Sequence, residues 1–92
     1  MDDVTSEELE AEWFAATMDR KRAEGLFSEI IAHSTAARNP RYAAGTSRIV
    51  KLVTAHGRHI GTVHEIVLPG GLVPHSHPKD YTRRDCVRIR SK

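Results

Sequence analysis

Two histidines separated by one residue follow a glycine turn in the stretch PGGLVPHSHPKDY, residues 69–81. If this stretch contains a strand, His75 and His77 point to the same face, because side chains alternate along a strand. Imidazole nitrogens on one face can ligate a zinc or iron ion, with His64 or Glu65 of the preceding segment as a further ligand. The alternative to this metal site is a loop that is simply rich in histidine. We expect no resident cofactor, with a divalent metal at these histidines as the alternative.

The same stretch resembles the first half of the cupin signature, in which a glycine turn precedes His-x-His on a strand and a carboxylate follows. The matching residues are Gly70 or Gly71, then His75, His77 and Asp80, and the resemblance implies that the last three hold a metal. Cupins take another histidine from a second motif downstream, and none of the fifteen residues after His77 is a histidine. The helical N-terminal part also differs from a double-stranded β-helix, so the sequence does not predict the cupin fold.

A second chemistry open to these residues is the cleavage of RNA. In-line transesterification needs a general base, a general acid and a cation that offsets the charge developing on the phosphate. The chain offers Glu65 as the base, one of His64, His75 and His77 as the acid, and Arg83 or Arg84 as the cation. Helices followed by a basic antiparallel sheet are similar to the plan of RelE-type toxin nucleases, which implies a small ribonuclease as an alternative function.

Side chains suited to phosphate are concentrated near the C-terminus. Arginine contacts phosphates as a fork, and a neighbouring tyrosine can stack on a base. The residues that we expect to contact nucleic acid are Arg58, Lys79, Tyr81, Arg83, Arg84, Arg88 and Arg90. The alternative is a solvated turn in which Asp80 or Asp85 pairs with an arginine. Residues 57–66 are also similar to the turn and strand of KOW-type small β-barrels, which implies loops that touch nucleic acid or protein and a sharp bend at Gly61.

Charge is distributed unevenly along the 92 residues. Residues 1–40 carry four basic and nine acidic side chains, whereas residues 41–92 carry ten basic and three acidic ones and five of the six histidines. This segregation indicates a polyanionic partner for the C-terminal half, unless the acidic part lies beside the basic part and neutralises it. Cys86, the single cysteine, cannot form an intramolecular disulfide.

No apolar run reaches the length of a signal sequence or a membrane span. We therefore expect a cytoplasmic protein with no membrane partner. Its rich usage of Ala, Arg, Val, Gly and His is compatible with a small bacterial or phage protein. A core with only five aromatic residues is thin, so a homodimer is a reasonable expectation.

Helical spacing characterises the N-terminal part. Thr5 is expected as the N-cap of the first helix, with Glu8 completing a capping box. Gly25 predicts a helix end, and residues 26–34 repeat the helical spacing before Asn39 and Pro40 end it. An apolar stripe on these helices is expected to pack in the core or at a dimer interface, or to dock on another protein; it consists of Trp13, Phe14, Met18, Phe27 and Ile31.

Strand-like segments follow, at residues 48–54, 60–68, 72–77 and 86–90, separated by turns that contain glycine. We expect an α+β protein in which an N-terminal helix or helix pair packs on a small three- to four-stranded antiparallel sheet. Residues 1–92 are predicted to form a single domain, with an acidic helical segment at 1–39 and a basic β-sheet segment at 46–92.

The predicted function is that of a small, non-enzymatic regulatory or accessory protein. Its basic C-terminal half is expected to contact nucleic acid or a nucleic-acid-handling protein. The alternatives are the ribonuclease described above, a metal-stabilised binding module, and a module that docks on a protein through the helical stripe. Convergence of His64, Glu65, His75 and His77 within bonding distance would favour the enzyme and the metal site together.

Overall fold

The fold is built on a six-stranded sheet, which a computed structural model describes for residues 2–91. The chain runs through β1 (Asp2–Val4), α1 (Ser6–Ala15), α2 (Met18–Ala23), β2 (Ser28–Ala36), a 3-10 turn (Pro40–Tyr42), β3 (Thr46–Val53), β4 (His59–Val67), β5 (His75–Thr82) and β6 (Arg88–Ser91). The strand order is β1-β6-β5-β4-β3-β2. Strands β2 to β6 form an antiparallel meander, and β1 adds to β6 in parallel.

The α+β class is as predicted, but the expected three- to four-stranded antiparallel sheet with an N-terminal helix pair is wrong. The sheet is mixed and has six strands, and the helices α1 and α2 are only ten and six residues long. The two extra strands are β1 and β2, and both come from the segment 1–39 that was expected to be helical. Met1 and Lys92, the ends of the predicted domain, lie outside the described residues.

The segment after Gly25 is a strand and not a helix. Gly25 ends α2 in the left-handed conformation, with φ 76°, as the predicted stop requires. Beyond it, β2 pairs with β3 along its whole length, and all nine of its residues are exposed. Because no core packs on β2, the spacing of its apolar residues does not report a buried face. The β-branched Ile30 and Ile31 instead favour the extended conformation, which the ladder of hydrogen bonds to β3 stabilises.

Helix α1 begins where the sequence predicts. The backbone amide of Glu8 donates to Oγ1 of Thr5 at 3.1 Å, which confirms Thr5 as the N-cap. Val4 and Leu9 are buried together against Ile89 of β6, so the start of the helix is anchored to the sheet. This contact places α1 over one face of the sheet.

The main core lies between the helices and that face. Trp13 and Met18 pack on the sheet residues Val50, Leu52 and Val63. The six-membered ring of Trp13 lies over Gly61, and a Cβ at that position would come within 2.6 Å of the ring. The glycine that was expected to bend a barrel therefore lets a tryptophan pack closely on an open sheet.

Strands β3 and β4 overlap the segments predicted at 48–54 and 60–68, but β3 begins two residues earlier and β4 one residue earlier. The third predicted strand, residues 72–77, starts later, because β5 runs from His75 to Thr82. The turn between β4 and β5 is closed by a hydrogen bond from the amide of Leu68 to the carbonyl of Leu72. Among residues 2–91, no helix is long and apolar enough to cross a membrane.

Candidate functional site

Three of the histidines converge on the face of the sheet opposite the helices. His64 of β4 is paired with His77 of β5, and His75 lies two residues before His77, so all three side chains share one face. Each offers a ring nitrogen, and these three atoms all lie within 4.8 Å of one another. The ring centroids are 4.9 to 5.7 Å apart. We call these three residues the histidine cluster.

Hydrogen bonds orient the rings of the histidine cluster. Nδ1 of His77 lies 2.9 Å from Nε2 of His75, so one of these nitrogens carries the proton and the other accepts it. Nε2 of His64 lies 2.7 Å from Oγ of Ser47 on β3, which fixes the orientation of that ring from the other side.

The surroundings favour the neutral form of two of the imidazoles. Partial burial is the largest cause that lowers the pKa of His64, and His75 and Lys79 lower it further, whereas Glu65 acts in the opposite direction. Burial also lowers the pKa of His77 most, followed by the neighbouring histidines and Lys79, while Glu10 acts against them. Both rings are therefore mainly unprotonated near neutral pH and carry a lone pair that can bind a proton or a metal.

Glu65 does not join the histidines, although it follows His64 directly. Consecutive residues of a strand point to opposite faces, and Glu65 lies under the helices with its side chain 2% exposed. Arg48 donates to its Oε1 at 2.6 Å, and Arg22 donates to its Oε2 at 3.0 Å. Arg22 also binds both carboxylate oxygens of Glu29, at 2.8 and 3.1 Å.

This network determines the charge state of Glu65. Burial by itself would raise the pKa of Glu65, but the hydrogen bonds and charges of Arg22 and Arg48 outweigh burial and lower it. The carboxylate is thus ionised and occupied by two guanidinium groups. A general base in the ribonuclease scheme must face the same substrate as the general acid. Glu65 and the histidine cluster lie on opposite faces of the sheet.

Four of the seven residues expected to contact nucleic acid line one open cleft of about 840 Å³; they are Arg58, Tyr81, Arg83 and Arg84. The cleft lies between the helices and the two turns that join β3 to β4 and β5 to β6. Lys21 of α2 and Phe27 also line it. We call this feature the basic cleft.

The cations of the basic cleft differ in whether they are paired with a carboxylate. Arg83 donates two hydrogen bonds of 2.7 Å to the carboxylate of Glu12 on α1, which lowers the pKa of that glutamate. Lys21, Arg58 and Arg84 take part in no salt bridge among residues 2–91, although Arg58 donates to Sγ of Cys86 at 3.1 Å.

The other three expected contacts lie outside the basic cleft. Lys79 lines a separate groove of about 470 Å³ on the open face, together with His64 and His77. Arg88 of β6 binds the carboxylate of Asp80 at 2.9 Å, and Asp80 lies within β5 with its side chain 13% exposed, so this pair is a contact between strands and not a solvated turn. Arg90 binds Asp3 at 2.7 Å. Asp80, the carboxylate in the cupin resemblance, is thus engaged with Arg88 and is not part of the histidine cluster.

The helical stripe is divided between core and surface. Trp13 and Met18 are buried in the main core, and Phe27 packs against it. Phe14 is 84% exposed on α1, and Ile31 is half-exposed on β2. The five residues therefore do not form one continuous docking face on the helices.

Sequence reasoning did not identify Ser47, Arg22, Arg48 or Lys21 as site residues. Ser47 and Arg48 are consecutive residues of β3. Because side chains alternate along a strand, this strand alone, once recognised, would have placed these two side chains on opposite faces of the sheet. Arg22 reaches Glu65 across 43 positions of the chain, which no local pattern reports.

Comparisons of the chain with protein-family models, with curated proteins and with solved structures find no match.

Proposed function

We propose that the protein binds single-stranded nucleic acid in the basic cleft. The observation that carries the proposal is the convergence of Arg58, Tyr81, Arg83 and Arg84 around one cavity. These residues come from β5 and from two different turns, so the fold brings together groups that the sequence separates by up to 26 positions.

The charge balance of the basic cleft favours an anionic ligand. Arg83 is compensated by Glu12, which leaves Lys21, Arg58 and Arg84 as cations without a carboxylate partner in the described part of the chain. Asp85 is the other acidic residue that lines the cleft, and its Oδ1 accepts the amide of Val87. Free guanidinium and ammonium groups on a concave surface attract a phosphate backbone.

A single strand suits the cleft better than a duplex. Single-strand sites combine cations that follow the backbone with aromatic rings on which bases stack. Tyr81 and Phe27 line the same cleft as the cations. Thr17 and Thr54 also line the cleft, and hydroxyl side chains are among the groups that contact phosphate or sugar.

The experiment is the binding of fluorescently labelled oligo(dT) and oligo(U), measured by anisotropy over a series of salt concentrations. The variant Arg58→Ala/Arg84→Ala removes two free cations of the cleft and leaves the Arg83–Glu12 pair in place. On single strands the log–log salt slope is about −0.7 per phosphate contact, so this variant should reduce its magnitude by about 1.4.

The matched control is Arg38→Ala/Arg41→Ala, which removes the same charge from exposed positions outside the cleft. It should leave the salt slope of the wild type unchanged. Equal loss of binding in both double variants would show that net charge and not the cleft is responsible. Absence of binding to either oligonucleotide at low salt would refute the proposal, and cleavage of oligo(U) would show a ribonuclease instead of a binding protein.

A further inference from the structure

The histidine cluster has the arrangement of metal ligands on a rigid scaffold. His64 lies in the interior of β4, and β4 is hydrogen-bonded on both sides, to β3 and to β5. His75 and His77 belong to the adjacent β5. The three side chains are therefore positioned by paired strands and not by loops, which favours a defined ligand geometry.

The distances between the ligand atoms are close to those that a metal requires. A tetrahedral ion with metal–nitrogen distances of about 2.0–2.1 Å holds its ligand atoms about 3.3–3.4 Å apart. In the cluster one pair of nitrogens lies at 2.9 Å, and all three nitrogens lie within 4.8 Å of one another. The separations therefore differ from the metal value by no more than about 1.5 Å, a change that is within the reach of rotations about the side-chain bonds.

The neighbours of the cluster fit the needs of a metal site. Ser47 contacts Nε2 of His64 and can hold that ring in place, as the outer partners of metal-ligating histidines do. The groove of about 470 Å³ is lined by His64 and His77, and it gives an ion access from solvent. The charged groups that act on the two rings are Lys79, Glu65 and Glu10, and neither glutamate belongs to the ligand set.

Without an ion, the hydrogen bonds of the histidine cluster use only part of its hydrogen-bonding capacity. The three half-buried imidazoles form one hydrogen bond among themselves and one with Ser47. A single metal ion bound to one lone pair of each ring would use all three nitrogens at once.

We propose that His64, His75 and His77 form a three-histidine site for a divalent first-row transition-metal ion of the zinc type. Imidazole nitrogen suits Zn²⁺, Cu²⁺, Ni²⁺ and Co²⁺, whereas Mg²⁺ and Ca²⁺ prefer oxygen ligands. Among residues 2–91 no fourth histidine, cysteine or carboxylate joins the set. The ion keeps one coordination position for water or an external ligand, as three-ligand zinc sites do. This site is on the opposite face of the sheet from the helices and is independent of nucleic-acid binding in the basic cleft.

The test is a titration of the whole protein with Co²⁺, followed by its visible absorption, and then displacement of Co²⁺ by Zn²⁺. We expect saturation at one ion per chain and a spectrum typical of low coordination number. His64→Ala, His75→Ala and His77→Ala should each weaken Co²⁺ binding by about tenfold or more, since a lost ligand costs at least as much as a lost outer partner.

Two other histidines provide the matched controls. His33 lines the same groove without joining the cluster, and His56 lies exposed in the turn between β3 and β4. His33→Ala and His56→Ala should bind Co²⁺ as the wild type does. Equal weakening in control and cluster variants, saturation at half an ion per chain, or no saturable binding of Co²⁺ and Zn²⁺ would each overturn the proposal.

A second measurement needs no substitution at all. Long-range ¹H–¹⁵N spectra of the wild-type protein report each imidazole, and addition of Zn²⁺ should shift the ring signals of His64, His75 and His77. The signals of His33 and His56 should stay in place. Shifts confined to these two exposed histidines would refute the site even if the alanine variants failed to fold.

Discussion

Glu65→Gln is expected to destabilise the protein strongly, because Glu65 is a structural anion at the centre of a buried ionic network. The substitution keeps the shape of the side chain and removes its charge. Glu65 is 2% exposed, whereas the side chains of Arg22 and Arg48 are 20% and 30% exposed. Breaking a buried pair by removing the charge of one partner costs about 3–5 kcal/mol.

The structure argues for the lower end of that range. Arg22 keeps both of its hydrogen bonds to Glu29, whereas Arg48 has no other carboxylate partner among the described residues. The guanidinium groups also retain some contact with water, which screens the uncompensated charge. We therefore expect a loss of about 3 kcal/mol in the free energy of unfolding. For a domain of this size that corresponds to a decrease in Tm of about 12–24 °C.

Urea denaturation followed by circular dichroism measures this loss, and Glu24→Gln is the matched control. Glu24 pairs with Arg20 at 3.6 Å on the surface, and both side chains are more than half exposed. Removing such an exposed pair should cost less than about 0.5 kcal/mol. If Glu65→Gln also cost less than about 1 kcal/mol, the network would not be the stabilising element that its geometry indicates.

The pH dependence of the same difference provides a second check. The network lowers the pKa of Glu65 below its ordinary value of 4.5. A carboxyl group with a lowered folded-state pKa stabilises the native state fully above its unfolded pKa and loses that contribution as pH falls through the folded value. The gap in stability between wild type and Glu65→Gln should therefore be constant above pH 4.5 and shrink below it. A gap that widened on acidification would contradict the sign of the shift.

Three further substitutions test other parts of the fold. Gly61→Ala would place a methyl group 2.6 Å from the ring of the buried Trp13, so it should cost about 1–3 kcal/mol in urea denaturation; an unchanged midpoint would show that the ring can move aside. Thr5→Ala removes the N-cap of α1 and should cost about 1 kcal/mol, whereas Thr5→Ser should cost little; equal losses would point to the methyl group instead of the hydroxyl. Ser47→Ala should weaken Co²⁺ binding about tenfold if Ser47 orients His64, with an unchanged urea midpoint; an unchanged affinity would argue against that role.

The parts of the fold that the sequence predicts correctly are those with local causes. The start of α1 depends on Thr5 and on residues within one turn of it. Strands β3 and β4 are rich in β-branched residues, and the turn between them contains Gly57 with φ 81°. Of the strands that were not predicted, β1 pairs with β6 at the other end of the chain, whereas β2 pairs with the next strand, β3, but is exposed along its whole length, so no buried face marks it in the sequence. In β1, Asp2 is opposite Ile89 in the register. The strand has only three residues, which are too few to show a strand periodicity in the sequence.

The sequence could predict that two of the three residues of the histidine cluster share one face, but not that the third joins them. The His-x-His pattern placed His75 and His77 on one face, and the structure confirms that arrangement. Adding His64 requires the register between β4 and β5, which includes a bulge next to Thr62 that no local pattern indicates. The same period-two rule could have separated Glu65 from His64, because neighbours in a strand point to opposite faces.

The candidate binding residues of the basic half are identified by where each cation lies in the fold and whether it is paired, and not by the total charge of that half. Part of its excess charge is neutralised by the acidic N-terminal segment, since Glu12 binds Arg83 and Asp3 binds Arg90. The two acidic partners lie in α1 and β1, the elements that pack against β5 and β6. From the sequence, neutralisation of the basic half by the acidic segment and binding of a polyanionic partner are alternatives. The two exclude one another only if every cation of the basic half is paired with a carboxylate. Glu12 neutralises Arg83 within the basic cleft itself, but Arg58 and Arg84, which line the same cleft, take part in no salt bridge of residues 2–91, so pairing with the acidic segment leaves two cations of the cleft uncompensated.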